Sequence, residues 1–148
     1  MSLAGRYFRL KPADRGLVRR ACWRLVVARF QLRVVSFERL IERVATNPEI
    51  ESAGEEARRG VERVCWAVEA AASRLPGMDN CLVKALAAGF MLRQRRLPGA
   101  LRLGAARGES EGLNAHAWIE FEGRALVGGP DVSRYEPLTG RVNSISRP

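Results

Sequence analysis

Two residues of the chain suit covalent chemistry, Cys81 and His116. Cys81 directly follows Asp79-Asn80, which are helix-capping residue types, and a strongly apolar run begins with it. The sulfur is therefore expected in the first turn of a helix, where the helix dipole and a neighbouring imidazole both favour the thiolate. Backbone N–H groups of that turn could hold a developing oxyanion. His116 is the one histidine of the sequence, so a cysteine–histidine mechanism must use it.

The remaining cysteines have a different setting. Cys22 and Cys65 lie inside helical patterns and are predicted to be small core residues. Three cysteines without a CxxC pair, combined with a single histidine, favour neither a disulfide framework nor a structural zinc site. The sequence therefore predicts no metal and no cofactor.

A third group should orient the imidazole. Alternation along the predicted strand places His116, Trp118 and Glu120 on one face, but Glu120 lies about 13 Å along the strand from His116, too far to reach it. A hairpin turn at Glu122-Gly123 folds the chain back, so that residues 129 and 130 come opposite His116 and Asp131 arrives beside it. Asp131 is the predicted orienting carboxylate. The alternative is that Asp131 merely serves the Gly-Gly-Pro-Asp turn.

The elements that position these residues follow from periodicity. Apolar residues at helical spacing predict helices over Ala13–Val35, Ser36–Val44, Glu55–Leu75 and from Cys81 to about Leu92. After Pro98 the pattern changes to short alternating runs, Ala100–Ala105, Asn114–Phe121 and Ala125–Val127. Helices followed by antiparallel strands predict an α+β fold. We expect a helical N-terminal region (1–75) and a catalytic core (76–148) that form one compact unit.

The charge and hydropathy of the sequence indicate which classes of partner the protein can bind. The net charge is +9, and all cations except Lys11 and Lys84 are arginines. This favours acidic partners, including acidic peptides, while the lack of a basic-and-aromatic recognition pattern argues against nucleic acid. No stretch is long and apolar enough to predict a transmembrane helix, and the N-terminus lacks the layout of a secretory signal. A cytoplasmic protein without stable membrane insertion is expected.

The arrangement of a cysteine opening a buried helix, a histidine on a strand and an aspartate on the next resembles the papain-like transglutaminase core. Four segments make the resemblance more specific: Asn80-Cys81-Leu82-Val83-Lys84-Ala85-Leu86, Leu92-Arg93-Gln94-Arg95, Leu101-Arg102-Leu103-Gly104 and Ala115-His116-Ala117-Trp118-Ile119-Glu120. They are similar to the leader peptidase of lasso-peptide biosynthesis, a cysteine protease family with a transglutaminase-like fold. The resemblance covers about residues 76–138.

The resemblance implies a function and its partners. In that family the peptidase cuts a ribosomally made precursor peptide between leader and core, a small recognition protein binds the leader, and an ATP-dependent cyclase closes the core. Since the chain has no room for a fused recognition domain, it resembles the stand-alone form, which implies a separate recognition protein. By matching positions, Cys81 is the nucleophile, His116 the base and then acid, and Asp131 the orienter. The basic helical half is hypothesised to dock the leader and its recognition protein.

Two alternatives stay open. The same site could belong to a transglutaminase-like acyltransferase, which passes the acyl group to an amine instead of water. The chain could also be a non-enzymatic binding module, whose basic helix over Ala13–Val35 lies on an anionic membrane or holds a partner helix. The arginines encircle this helix rather than occupying one face, which weakens the membrane version.

Overall fold

The computed structural model describes residues 10–45, 54–107, 113–128 and 136–137. Within these ranges, four helices precede four strands: α1 (Pro12–Val34), α2 (Phe37–Ala45), α3 (Glu55–Ala72), α4 (Cys81–Gln94), β1 (Ala100–Arg107), β2 (Leu113–Phe121), β3 (Arg124–Val127) and β4 (Glu136–Pro137). This order confirms the predicted α+β fold, with a cysteine-bearing helix packed on a small antiparallel sheet.

Helix α1 contributes one face to the hydrophobic core. Its buried positions recur at helical spacing and pack against α3 and α4: Leu17, Val18, Ala21, Leu25 and Ala28. The face opposite to these residues is not purely basic, because it also carries large apolar side chains that stay exposed. Alternating apolar residues and arginines along this segment predict one apolar face, and the second apolar face is a finding of the structure.

Helix α3 ends earlier than predicted. It begins at Glu55, with acidic residues in its first turn as the helix dipole favours, but it stops at Ala72 rather than near Leu75. The N–H groups of Arg74 and Leu75 bond to the carbonyls three residues earlier, which is the tighter spacing of a terminal turn. Pro76 follows directly and disfavours helical geometry at the residue before it.

Helix α4 is the central element, as its apolar sequence predicted. All its residues from Val83 to Gly89 are buried, and it contacts the other three helices and strands β1, β2 and β3. One buried residue in that run is charged, Lys84. A single hydrophobic core joins α4 with α1, α3 and the inner face of the sheet. The predicted division into 1–75 and 76–148 remains a prediction.

The sheet has the strand order β3-β2-β1-β4, and its three pairings are antiparallel. The predicted hairpin between β2 and β3 is confirmed: Glu122 and Gly123 both have positive φ (50° and 74°), the combination of a type I′ turn. A bulge between Ile119 and Glu120 then shifts the register, so that Ile119 pairs with Val127. In the described part of the chain, no helix has the length and apolar character needed to cross a membrane.

Candidate active site

Cys81 is the first residue of α4, as predicted, and it is half-buried. The preceding Asn80 caps the helix: its side-chain oxygen accepts hydrogen bonds from the N–H groups of Leu82 (2.9 Å) and Val83 (3.4 Å). The cap therefore satisfies the second and third amides of the helix and does not use the N–H of Cys81. A donor beside the sulfur that the cap does not occupy, at the positive end of a helix, suits an oxyanion.

His116 lies on β2, opposite Gly104 of β1, and is half-buried. Its ring stacks on that of Trp118 with the centroids 6.1 Å apart and an interplanar angle of 26°. Trp118 is only 3% exposed, so the ring beneath the imidazole has little room to move. The predicted alternation is confirmed for these two residues, which share a face of β2, while Ile119 packs into the core on the other face.

The contacts of α4 fix its direction along the sheet. Near the end of α4, Leu92 lies against Gly99, which precedes β1, and Gly99 lies near Ile119 in the later part of β2. Cys81 is eleven residues earlier, which is about 16 Å back along the helix axis. The start of α4 thus lies toward the end of the layer where β2 begins and β3 finishes. His116 belongs to this part of β2, and its side chain lies on the face of the sheet opposite to Ile119.

An ion-pair network around the buried Lys84 connects the start of α4 with the end of β3. The Lys84 ammonium lies 2.9 Å from Asp79 and 3.2 Å from Glu69 of α3. The other carboxylate oxygen of Glu69 accepts a hydrogen bond from the Gly128 N–H (3.3 Å). Gly128 in turn lies against the backbone of Trp118, because an added Cβ would come within 3.2 Å of its Cα. One lysine therefore joins the residues just before Cys81 to the strand end next to His116.

This network keeps its charges. Burial alone would lower the pKa of Lys84, but the hydrogen bonds and ion pairs with Asp79 and Glu69 outweigh it, and the net effect raises the pKa above the ordinary value. The hydrogen bond and the charge of Lys84 lower the pKa of the Asp79 carboxyl. The pair is therefore ionised over the whole neutral range.

Cys22 and Cys65 have the surroundings of structural residues. Burial raises the pKa of both thiols, and for Cys65 burial together with the nearby Glu69 and Glu62 raises it to about 12. A thiol that stays protonated at neutral pH is a poor nucleophile. All three cysteines are free of disulfides. Within the described ranges, no three His, Cys, Asp or Glu side chains cluster closely enough to hold a metal ion.

Asp131, the predicted orienting residue, lies outside the described residues. The last described residue before it is Gly128, which the network attaches to α3. The role of Asp131 therefore stays a prediction.

Sequence reasoning missed the contribution of Lys84, Glu69 and Arg29 to this site. Arg29 of α1 donates a hydrogen bond to the carbonyl of Gly77, in the loop that leads to Cys81. A lysine within an otherwise apolar helix was a usable signal, since a buried cation requires an acidic partner. The identity of the partners, fifteen and five residues earlier, could not be read from spacing alone.

The comparison with known protein families agrees with this geometry. Residues 24–140 match the transglutaminase-like superfamily, which covers most of the chain, and the protein belongs to that superfamily. Membership suggests an activity of the cysteine protease or acyltransferase type. No curated protein and no solved structure matches the chain.

Proposed function

We propose that the protein is a stand-alone leader peptidase of lasso-peptide biosynthesis, a cysteine peptidase that separates the leader of a precursor peptide from its core. The observation that carries the proposal is the position of Cys81, the first residue of a capped, buried helix whose start is linked through Lys84 and Glu69 to the residue that follows β3. Membership of the transglutaminase-like superfamily supports the chemistry. The lasso-peptide substrate rests on the four similar segments.

The first step forms a thioester. The Cys81 thiolate attacks the carbonyl carbon of the scissile bond, and the N–H of Cys81 donates to the resulting oxyanion. His116 gives a proton to the nitrogen as the C–N bond breaks. The core peptide leaves with a free amine, and the leader stays attached to the sulfur.

The second step releases the leader. His116, now neutral, takes a proton from a water molecule, which attacks the thioester carbonyl. The C–S bond breaks, the leader leaves as a carboxylate, and the thiolate is restored. The sum is hydrolysis of one peptide bond without change of oxidation state.

Two further groups complete the proposed site. Trp118 holds the plane of the imidazole by stacking, and Asp131 accepts a hydrogen bond from the other ring nitrogen. We expect Asp131→Asn to lower kcat by orders of magnitude while leaving the fold intact, as judged by circular dichroism; an Asp131→Asn variant with normal kcat would assign the role elsewhere.

The proposed partners are the precursor leader, a separate leader-recognition protein and the cyclase that takes over the new N-terminus. A transglutaminase-like acyltransferase would share the first step and replace water with an amine in the second. The two reactions differ in the atom that ends on the leader carbonyl, which is oxygen for hydrolysis and nitrogen for transfer.

The test is cleavage of the precursor, with its recognition protein present, in water enriched in oxygen-18. Hydrolysis predicts a leader acid that carries the heavy oxygen, whereas acyl transfer gives an amide without it. Cys81→Ala should be inactive, and the matched variant Cys65→Ala should retain most activity. Mass spectrometry of the products shows whether the leader carries the heavy oxygen and whether each variant has cleaved the precursor. Cleavage by Cys81→Ala would disprove the proposed mechanism.

A further inference from the structure

A basic cleft lies at the end of α4 remote from Cys81. It has a volume of about 650 Å³ and is formed by the first half of α1 and the last turn of α4. We call it the arginine cleft, and its lining residues are Arg19, Arg20, Trp23, Arg24, Met91, Gln94 and Arg95. Four of these seven residues are cations, and none is acidic.

No acidic residue of the described ranges neutralises the charges of the arginine cleft. Arg24 donates a hydrogen bond of 3.0 Å to Gln94, a neutral side chain. Among the described residues, no Asp or Glu forms an ion pair with any of the four cleft arginines, whereas Arg58 and Arg63 elsewhere on the helices each pair with a carboxylate. Four like charges lining one concave surface repel one another, and a bound anion would remove that repulsion.

An exposed apolar stripe runs along α1 from the arginine cleft. Its members are spaced three and four residues apart on the face opposite to the core, with exposed fractions of 67% for Trp23, 42% for Val26, 63% for Phe30 and 62% for Val34. A contiguous row of large apolar side chains on a helix surface is typical of an interaction site. Trp23 belongs to both features, so charge and apolar area adjoin at one residue.

We propose that the arginine cleft and the adjoining stripe form a docking surface for an acidic peptide segment that carries large apolar side chains. Carboxylates of the segment pair with the cleft arginines, and its apolar side chains cover Trp23 and the stripe. A second copy of this chain is disfavoured because each copy carries a charge of +9. A lipid surface would leave the concave cleft unfilled. Nucleic acid offers no aliphatic surface that would cover the valines of the stripe.

The docking surface is separate from the proposed active site. Arg95 follows Cys81 by fourteen residues along α4, so roughly 20 Å separates the two ends of the helix. A peptide bound in the cleft would need about six extended residues to reach the sulfur. The surface therefore provides binding and not chemistry, and its existence does not depend on the proposed peptidase activity.

Binding of a defined probe to the full chain tests the proposal. The probe is a short fluorescein-labelled peptide rich in glutamate around a central Trp-Leu pair, measured by fluorescence anisotropy. One matched peptide has glutamine in place of glutamate, and a second has serine in place of the Trp-Leu pair. We expect the probe to bind more tightly than either matched peptide, and its affinity to fall with added salt.

Substitutions that reverse the charge of single arginines show where on the protein the probe binds. Arg20→Glu and Arg95→Glu should each weaken the probe by about tenfold, and Trp23→Ala should remove the advantage of the Trp-Leu pair. Arg39→Glu is the matched control, an exposed cation of α2 outside the surface with the same change of charge, and it should bind the probe normally. All four side chains are exposed to solvent, so circular dichroism should show the same fold.

Three results would overturn the proposal. The first is an equal loss of affinity in Arg39→Glu, which would indicate non-specific attraction by the net charge. The second is equal binding of the probe and the peptide without its Trp-Leu pair. The third is stronger binding of anionic phosphatidylserine vesicles or of a single-stranded oligonucleotide, with the same sensitivity to Arg20→Glu and Trp23→Ala.

Discussion

Cys81 and Cys65 carry the same thiol in opposite surroundings. Cys81 opens a helix and is half-buried, whereas Cys65 lies in the middle of α3 and is 3% exposed. Burial and two nearby glutamates raise the pKa of Cys65 to about 12. The environment of each sulfur, and not its residue type, decides which of them can act as a nucleophile.

Cys65 should make the protein sensitive to alkali. Its pKa is higher in the folded than in the unfolded chain, so the stability it contributes is complete below pH 9 and is lost as the pH rises toward 12. Over that window each pH unit lowers the free energy of unfolding by about 1.4 kcal/mol. Urea unfolding of the wild type and of Cys65→Ala between pH 7 and about 11 checks this. Parallel curves for the two proteins would show that Cys65 is not responsible.

At the scale of elements, Gly128 directly follows β3 and contacts both strand β2 and the ion-pair network. It has a φ of +106°, and an added Cβ would collide with the carbonyl oxygen of Ala117. Its N–H also donates to Glu69. The close approach explains why the residue after β3 has no side chain.

Gly128→Ala should therefore be strongly destabilising, by about 3 kcal/mol or more, because strained backbone and a backbone collision act together. Gly123→Ala is the matched control: it also has positive φ (+74°) but nothing lies within 4 Å of the added Cβ. It should lose only about 1 kcal/mol. Thermal unfolding of the two variants measures both losses of stability. Equal losses would mean that the approach of Gly128 to β2 is not tight.

The sequence was a good guide to elements with strong local patterns. The helix beginning at Cys81 was predictable because Asn80 is a capping residue and an apolar run follows. The hairpin was predictable because two residues, of which Gly123 tolerates positive φ, separate two alternating runs. The early end of α3 and the partners of Lys84 were not, since both depend on contacts between residues far apart in the chain. The exposed apolar stripe of α1 was hidden because buried and exposed apolar residues alternate with arginines along the same helix.

At the scale of the molecule, the helical half is part of the core that supports the site. Leu25 and Val18 of α1 are fully buried, and each such side chain contributes about 2 kcal/mol. Arg29 additionally holds the loop that leads to Cys81. A chain beginning near Gly54 would lose these contacts, so docking by the helical half is better tested by surface substitutions such as Arg20→Glu than by truncation.

The proposed function depends on one interaction, which we expect to form between the Cys81 sulfur and the His116 imidazole. The rate of Cys81 alkylation by iodoacetamide, followed by mass spectrometry of the modified peptide, measures it directly. We expect wild-type Cys81 to react at pH 6 about tenfold faster or more than in His116→Gln, because the proposed mechanism makes His116 the group that activates the sulfur. Equal rates in the two proteins at pH 6 would contradict the account.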